Sequence, residues 1–117
     1  RREINLNLIL DKVVDSKLSL HLVSLGDDLN ILGISAEPVC DYISIFRKLF
    51  KPNKKIILAG YIDNVFGYLP TPKQINEGGY ESHDFKELFS LKGSNFIKTY
   101  KESITDNIKE MIQKLDL

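Results

Sequence analysis

Between Ile34 and Lys55 the apolar pattern changes period twice. Up to Ile34 apolar residues alternate with polar ones, as on a half-buried strand. From Val39 they recur through Tyr42, Ile43, Phe46, Leu49 and Phe50 at the spacing of about 3.6 that marks a helix face. Lys55 to Ala59 is then almost continuously apolar, the pattern of a strand covered on both faces and therefore central in its sheet. Strand, helix, strand in this order predicts a parallel right-handed crossover. It restricts the chain to an α/β arrangement.

The flanking segments complete that expectation. Residues 4 to 10 begin with alternation and predict a first strand. Asp15-Ser16-Lys17 predicts a turn. Leu18 to Leu25 alternates again, Gly26-Asp27-Asp28 is a tight turn, and Leu29 to Ile34 is the third strand. The fold class expected is thus α/β: an antiparallel meander of about three strands, the strand-helix-strand crossover, and a long C-terminal amphipathic helix. Pro38 is expected in the first turn of the crossover helix, where its missing N–H costs nothing. Thr71-Pro72 should open a short helix that Gly78-Gly79 ends, with a further turn of helix around Phe85 to Phe89. Gly93-Ser94 should open the last helix, whose stripe is Ile97, Tyr100, Ile104, Ile108, Met111, Ile112 and Leu115. With 117 residues and no repeat or linker, residues 1–117 read as one α/β unit.

Composition excludes several classes. Sixteen basic residues balance sixteen acidic ones, so nothing points to nucleic acid. The Lys51–Lys55 run suits the C-terminal end of a helix and its turn. No apolar run reaches the roughly 20 residues of a membrane-spanning helix. Cys40 is the single cysteine, which rules out an internal disulfide, and it reads as a buried structural thiol.

Candidate chemistry gathers at strand ends. Glu37 follows the third strand, where ligand groups commonly sit in α/β sheets. From position alone, a helix cap or first-turn acid favoured by the helix dipole is the stronger reading. Tyr68 and Tyr80 lie in the loop-rich segment after Ala59, where an aromatic ring can pack on the domain or turn its hydroxyl to a substrate or metal. Tyr61 and Tyr42 carry no signal that separates them from core residues. His21 lies within a strand and His83 in an irregular segment, and neither has ligand spacing to another histidine.

Taken in order, Asp27-Asp28-Leu29-Asn30-Ile31-Leu32-Gly33-Ile34-Ser35-Ala36-Glu37-Pro38, Ile56-Ile57-Leu58-Ala59-Gly60-Tyr61, Gly67-Tyr68-Leu69-Pro70-Thr71-Pro72 and Glu77-Gly78-Gly79-Tyr80-Glu81 resemble the neutral/alkaline, non-lysosomal ceramidase family, and more closely its short bacterial members. The resemblance covers roughly residues 18 to 82. It implies a zinc-dependent amidohydrolase that cleaves the amide of a ceramide-like or other lipid-like N-acyl substrate. It places the family's glutamate and tyrosine zinc ligands on Glu37 and Tyr68. It places on Tyr80 a further tyrosine near the metal and the reacting carbonyl. The family's two histidine ligands precede the matched stretch, and neither His21 nor His83 corresponds to them. The chain is therefore expected to be the C-terminal portion of a larger catalytic domain. Its N-terminal remainder would be the partner, with half of the metal site here and no activity from this part alone. Surface left uncovered would permit a homodimer. The compartment stays open between cytoplasm and secretion. A non-enzymatic ligand- or protein-binding domain with a decayed site is the alternative.

Overall fold

The computed structural model describes residues 1–11, 16–87, 91 and 94–117. Four strands form one mixed sheet. They are β1 (Arg2–Asn5), β2 (Lys17–Leu25), β3 (Leu29–Ile34) and β5 (Lys55–Ala59), in the order β1-β2-β3-β5. β1, β2 and β3 are the antiparallel meander, and β3 pairs with β5 in parallel. α1 (Asp41–Arg47) makes the crossover between β3 and β5. α2 (Pro72–Glu77) and α3 (Tyr100–Leu115) follow.

Alternation along β2 and β3 sends Leu18, Leu20, Leu32 and Ile34 to one face, where they are fully buried. α1 adds Tyr42 and Phe46, and α3 adds Tyr100, Ile104 and Ile108. Among the described residues the other face is covered only in part, by Ile62 over Gly33 and Asp63 on His21. Val23, Leu25 and Ile57 on it are each about half exposed. β5 is correspondingly a sheet edge rather than the central strand its apolar run predicts. Its continuous apolarity reflects a second face covered only in part.

Several local expectations change. Residues 4 to 10 are not one strand: β1 ends at Asn5, and Leu6–Leu8 form a 3-10 turn. Its chain reversal buries Leu6, Ile9 and Leu10 together. Pro38 is not in the first turn of α1. Glu37–Pro38 form a two-residue strand, β4, paired in parallel with β6 (Tyr68–Leu69). α1 is shorter than expected, with Cys40 at its N-cap, and Cys40 is exposed rather than buried. The lysine run does not cap α1. Lys51 Nζ bonds Asp116, its backbone N–H donates to the Leu117 carbonyl at 2.9 Å, and Lys54 Nζ donates to the Asp27 carbonyl. α3 begins at Tyr100, later than the stripe implied. The expected turn at Asp15, the Gly93 helix start and the last part of the 85–89 turn lie outside the described residues, although Asp84–Glu87 do form a 3-10 turn. α2 follows its sequence closely. Thr71 and Gln74 make a reciprocal capping box, and Gly78 ends the helix at φ +79°. Among the described residues no helix is long and apolar enough to cross a membrane.

One buried acceptor ties the helices to the loop after β6. The Pro70 carbonyl accepts hydrogen bonds from Tyr42 Oη at 2.9 Å and Tyr100 Oη at 2.6 Å. Burial raises both phenols, Tyr42 strongly and Tyr100 up to about 12. Each single Tyr→Phe change leaves the carbonyl one donor and should cost about 0.5–1.5 kcal/mol. The double change orphans it and should cost about 1–3 kcal/mol beyond the sum. Urea denaturation of the four proteins measures the coupling, and additive losses would contradict a shared acceptor.

These phenols also set an alkaline limit. Unfolded tyrosines ionise near 10, and the folded pair ionises higher, so the folded state keeps protons that the unfolded chain releases. Their contribution is whole below about pH 10 and falls as pH climbs from there through the folded values. Urea midpoints should drop above pH 10, and drop less in Tyr42→Phe.

Candidate functional site

The short parallel ladder between β4 and β6 builds the site. Glu37 and Tyr68 are register partners on it, and the Glu37 N–H donates to the Gly67 carbonyl at 2.8 Å. Register partners on neighbouring strands project to the same side. Glu37 and Tyr68 are thus neighbours on one side of the ladder. Burial is the first cause of the raised Tyr68 pKa, followed by Glu37, then Tyr80 and Glu81.

Tyr68 is wedged between rings. Tyr80 and Phe85 each meet it edge-on, with centroids 5.6 Å away. Gly67 permits this packing. It sits at φ +145°, and a Cβ there would stand 2.3 Å from Phe85 Cε2. The three residues placed by the sequence, Glu37, Tyr68 and Tyr80, thus occupy one neighbourhood. Tyr80 lies at its outer side, 43% exposed.

Tyr61 was not distinguishable in the sequence, and it belongs to the same cluster. Interaction with the Glu37 carboxylate is the first cause, ahead of burial, that pushes its pKa up to about 12. It adopts φ +60°, uncommon for a bulky residue. Asp63 does the same at φ +49°. The only hint in the sequence was position, directly after Gly60 at a strand end.

The histidines lie elsewhere in the hydrogen-bond network. His21 Nε2 is 2.8 Å from Asp63 Oδ2 on the partly covered sheet face. His21 is the first cause holding the Asp63 carboxyl below its usual range. His21, Val23, Ile31, Ala59 and Ile62 line a shallow cleft of about 340 Å³ there. His83 Nδ1 bonds Ser82 Oγ at 2.7 Å.

The cluster has a definite electrostatic character. The Glu37 carboxylate raises the pKa of both phenols, after burial in the case of Tyr68, and the other charged or titrating groups that act on them are acidic or phenolic. Two oxygens that can share a proton can also share a cation, and a cation would reverse the effect on the phenols. Carboxylate and phenolate oxygens suit zinc as two members of a larger ligand set. Among the described residues no group of three or more His, Cys, Asp or Glu side chains is placed to hold a metal ion.

Removing the carboxylate should release the phenols. In Glu37→Ala the Tyr61 pKa should fall from about 12 towards the ordinary value near 10. The Tyr61 ¹³Cζ resonance followed against pH reads this directly, and an unchanged midpoint would mean that Glu37 does not hold Tyr61.

No protein-family model, curated protein or solved structure matches the chain.

Proposed function

We propose that the chain is the C-terminal part of a zinc-dependent amidohydrolase acting on a ceramide-like or other N-acyl amide, and that it supplies the glutamate–tyrosine half of the metal site. One observation carries this reading. Glu37 and Tyr68, the two positions that the ceramidase resemblance marks as ligands, are register partners on the β4–β6 ladder. Tyr80, the third marked position, packs against the Tyr68 ring.

Glu37 and Tyr68 would hold the ion, with the remaining ligands from an N-terminal remainder of the same domain. When bound, zinc would lower the pKa of a water to about 7 and polarise the amide carbonyl. Glu37 contributes the full negative charge of this half-site. Tyr68 is fixed in place by its ring contacts and by the β4–β6 ladder. Tyr80 would donate a hydrogen bond to the oxygen of the tetrahedral adduct.

The partly covered sheet face favours a second reading, a binding domain without catalysis. Val23, Leu25 and Ile57 expose apolar surface on this face, and among the described residues β5 pairs with no strand on its outer edge, as on sheets that receive a partner.

Zinc binding separates the two. The isolated chain should bind Zn²⁺ weakly, and Glu37→Ala should abolish that binding. In the longer protein carrying this chain, Glu37→Ala should lower N-acyl amide hydrolysis by more than about 100-fold, beyond the usual effect of outer-shell changes. Equal Zn²⁺ binding by wild type and Glu37→Ala, or unchanged hydrolysis, would leave the binding-domain reading standing.

A further inference from the structure

β5 ends the sheet, and among the described residues no strand pairs with its outer side. In a parallel ladder the residues of a strand turn their backbone groups alternately towards one neighbour and away from it. The Lys55 N–H donates to the Asp28 carbonyl at 2.8 Å. Lys55, Ile57 and Ala59 therefore turn their N–H and C=O groups to β3, where they lie opposite Leu29, Ile31 and Gly33. Ile56 and Leu58 turn theirs outwards. That leaves two donors and two acceptors on the edge, and no backbone hydrogen bond from another described segment reaches them. Such an edge is a template for a further strand.

The side chains of this edge are apolar where they are exposed. Ile57 projects to the partly covered face and is 49% exposed. Ile31 and Val23 continue its row across the sheet by register, and Val23 is 48% exposed. Lys55 is the one charged residue of β5 and shares that face with Ile57. At the other end of the strand, Ala59, Gly33 and His21 form one row, and Asp63 stands on it, 2.8 Å from His21 Nε2. A cation thus sits at one end of β5 and a carboxylate near the other.

We propose that β5 pairs antiparallel with β5 of a second copy of this chain, about a two-fold axis through Ile57. Ile56 of each copy then lies opposite Leu58 of the other, and all four outward groups of each strand are bonded. An axis at Ile56 would place Leu58 opposite Lys54, whose N–H is already given to the Lys51 carbonyl at 3.0 Å. An axis at Leu58 would place Ile56 opposite Gly60, which packs against the Ala36 carbonyl and Pro38. With the axis at Ile57 the two Ile57 side chains meet as a close cross-strand pair. Charge fits the same register. Lys55 arrives opposite Ala59, in the row that ends at Asp63. The two Lys55 residues stand roughly 13 Å apart along the strand, more than a Debye length at physiological salt. A five-residue edge makes a small interface beside the roughly 1,000 Å² of stable ones, so the dimer forms by mass action at high concentration. The pairing needs no zinc at Glu37, and it gives the binding-domain reading a partner, the chain itself.

Sedimentation equilibrium tests the association, and cross-linking tests the register. With rising concentration the mass should climb from 13.4 kDa towards twice that value. Ile57→Lys sets two cations opposite each other on the axis and should weaken association several-fold. Its melting temperature should hold, because the side chain it replaces is half exposed. In a Cys40→Ser background, Ile57→Cys should form an intermolecular disulfide on mild oxidation. The Cα separation of such a pair, about 4.5 Å, falls in the disulfide range. Val23→Cys lies two strands in from the edge and should stay reduced. If Ile57→Lys unfolds the chain, the cross-link decides alone. A monomer mass up to about 1 mM overturns the proposal and leaves the edge to a strand of another protein. A disulfide in Val23→Cys as fast as in Ile57→Cys also overturns it, in favour of two sheets packed face to face. Zn²⁺ binding should be equal in wild type and Ile57→Lys, so failure of the dimer and failure of the zinc site are read separately.

Discussion

The Pro70 carbonyl is where the helical layer and the site are joined. It accepts one phenol from α1 and one from α3, at 2.9 and 2.6 Å. Both donors are fully buried side chains of the core. Pro70 directly follows β6, so anchoring it fixes the strand that carries Tyr68. That strand lies against β4, which carries Glu37. A ladder of two residues per strand would be marginal by itself. Here it is held at one end by two buried hydrogen bonds and flanked by the close contact of Gly67 with Phe85. The position of the Glu37–Tyr68 pair is thus a consequence of core packing rather than of local loop preference.

The same arrangement explains why one carboxylate can organise three tyrosines. The Glu37 carboxylate raises the pKa of both Tyr61 and Tyr68, and Tyr80 packs edge-on against the Tyr68 ring. Glu81 adds a second acidic group that acts on Tyr68.

Much of this was legible in the sequence. The alternation of β2 and β3, the Gly26-Asp27-Asp28 turn and the helical spacing from Val39 to Phe50 gave the meander and the crossover. Glu37, Tyr68 and Tyr80 stood out through the ordered motifs and do share one neighbourhood. Other features were hidden for physical reasons. A parallel ladder two residues long has no periodicity, so Glu37-Pro38 read as a helix start. An apolar run reports apolar neighbours but not whether both faces are covered, and Ile57 on β5 is 49% exposed. Tyr61 was invisible because its place beside the site depends on a backbone torsion and on a carboxylate far off in the chain, Glu37. The two histidines offered no pattern, and the structure gives them partners in Asp63 and Ser82.

Gly67 carries a consequence for how sequences of this kind can diverge. It lies in a loop, beside residues that look freely variable, and Gly26, Gly78 and Gly79 have open space around them. At position 67 any side chain would strike the Phe85 ring. Drift at that one site is therefore blocked twice, by the ring and by a φ of +145° that strains any side chain. A smaller residue 85 would lift only the first block.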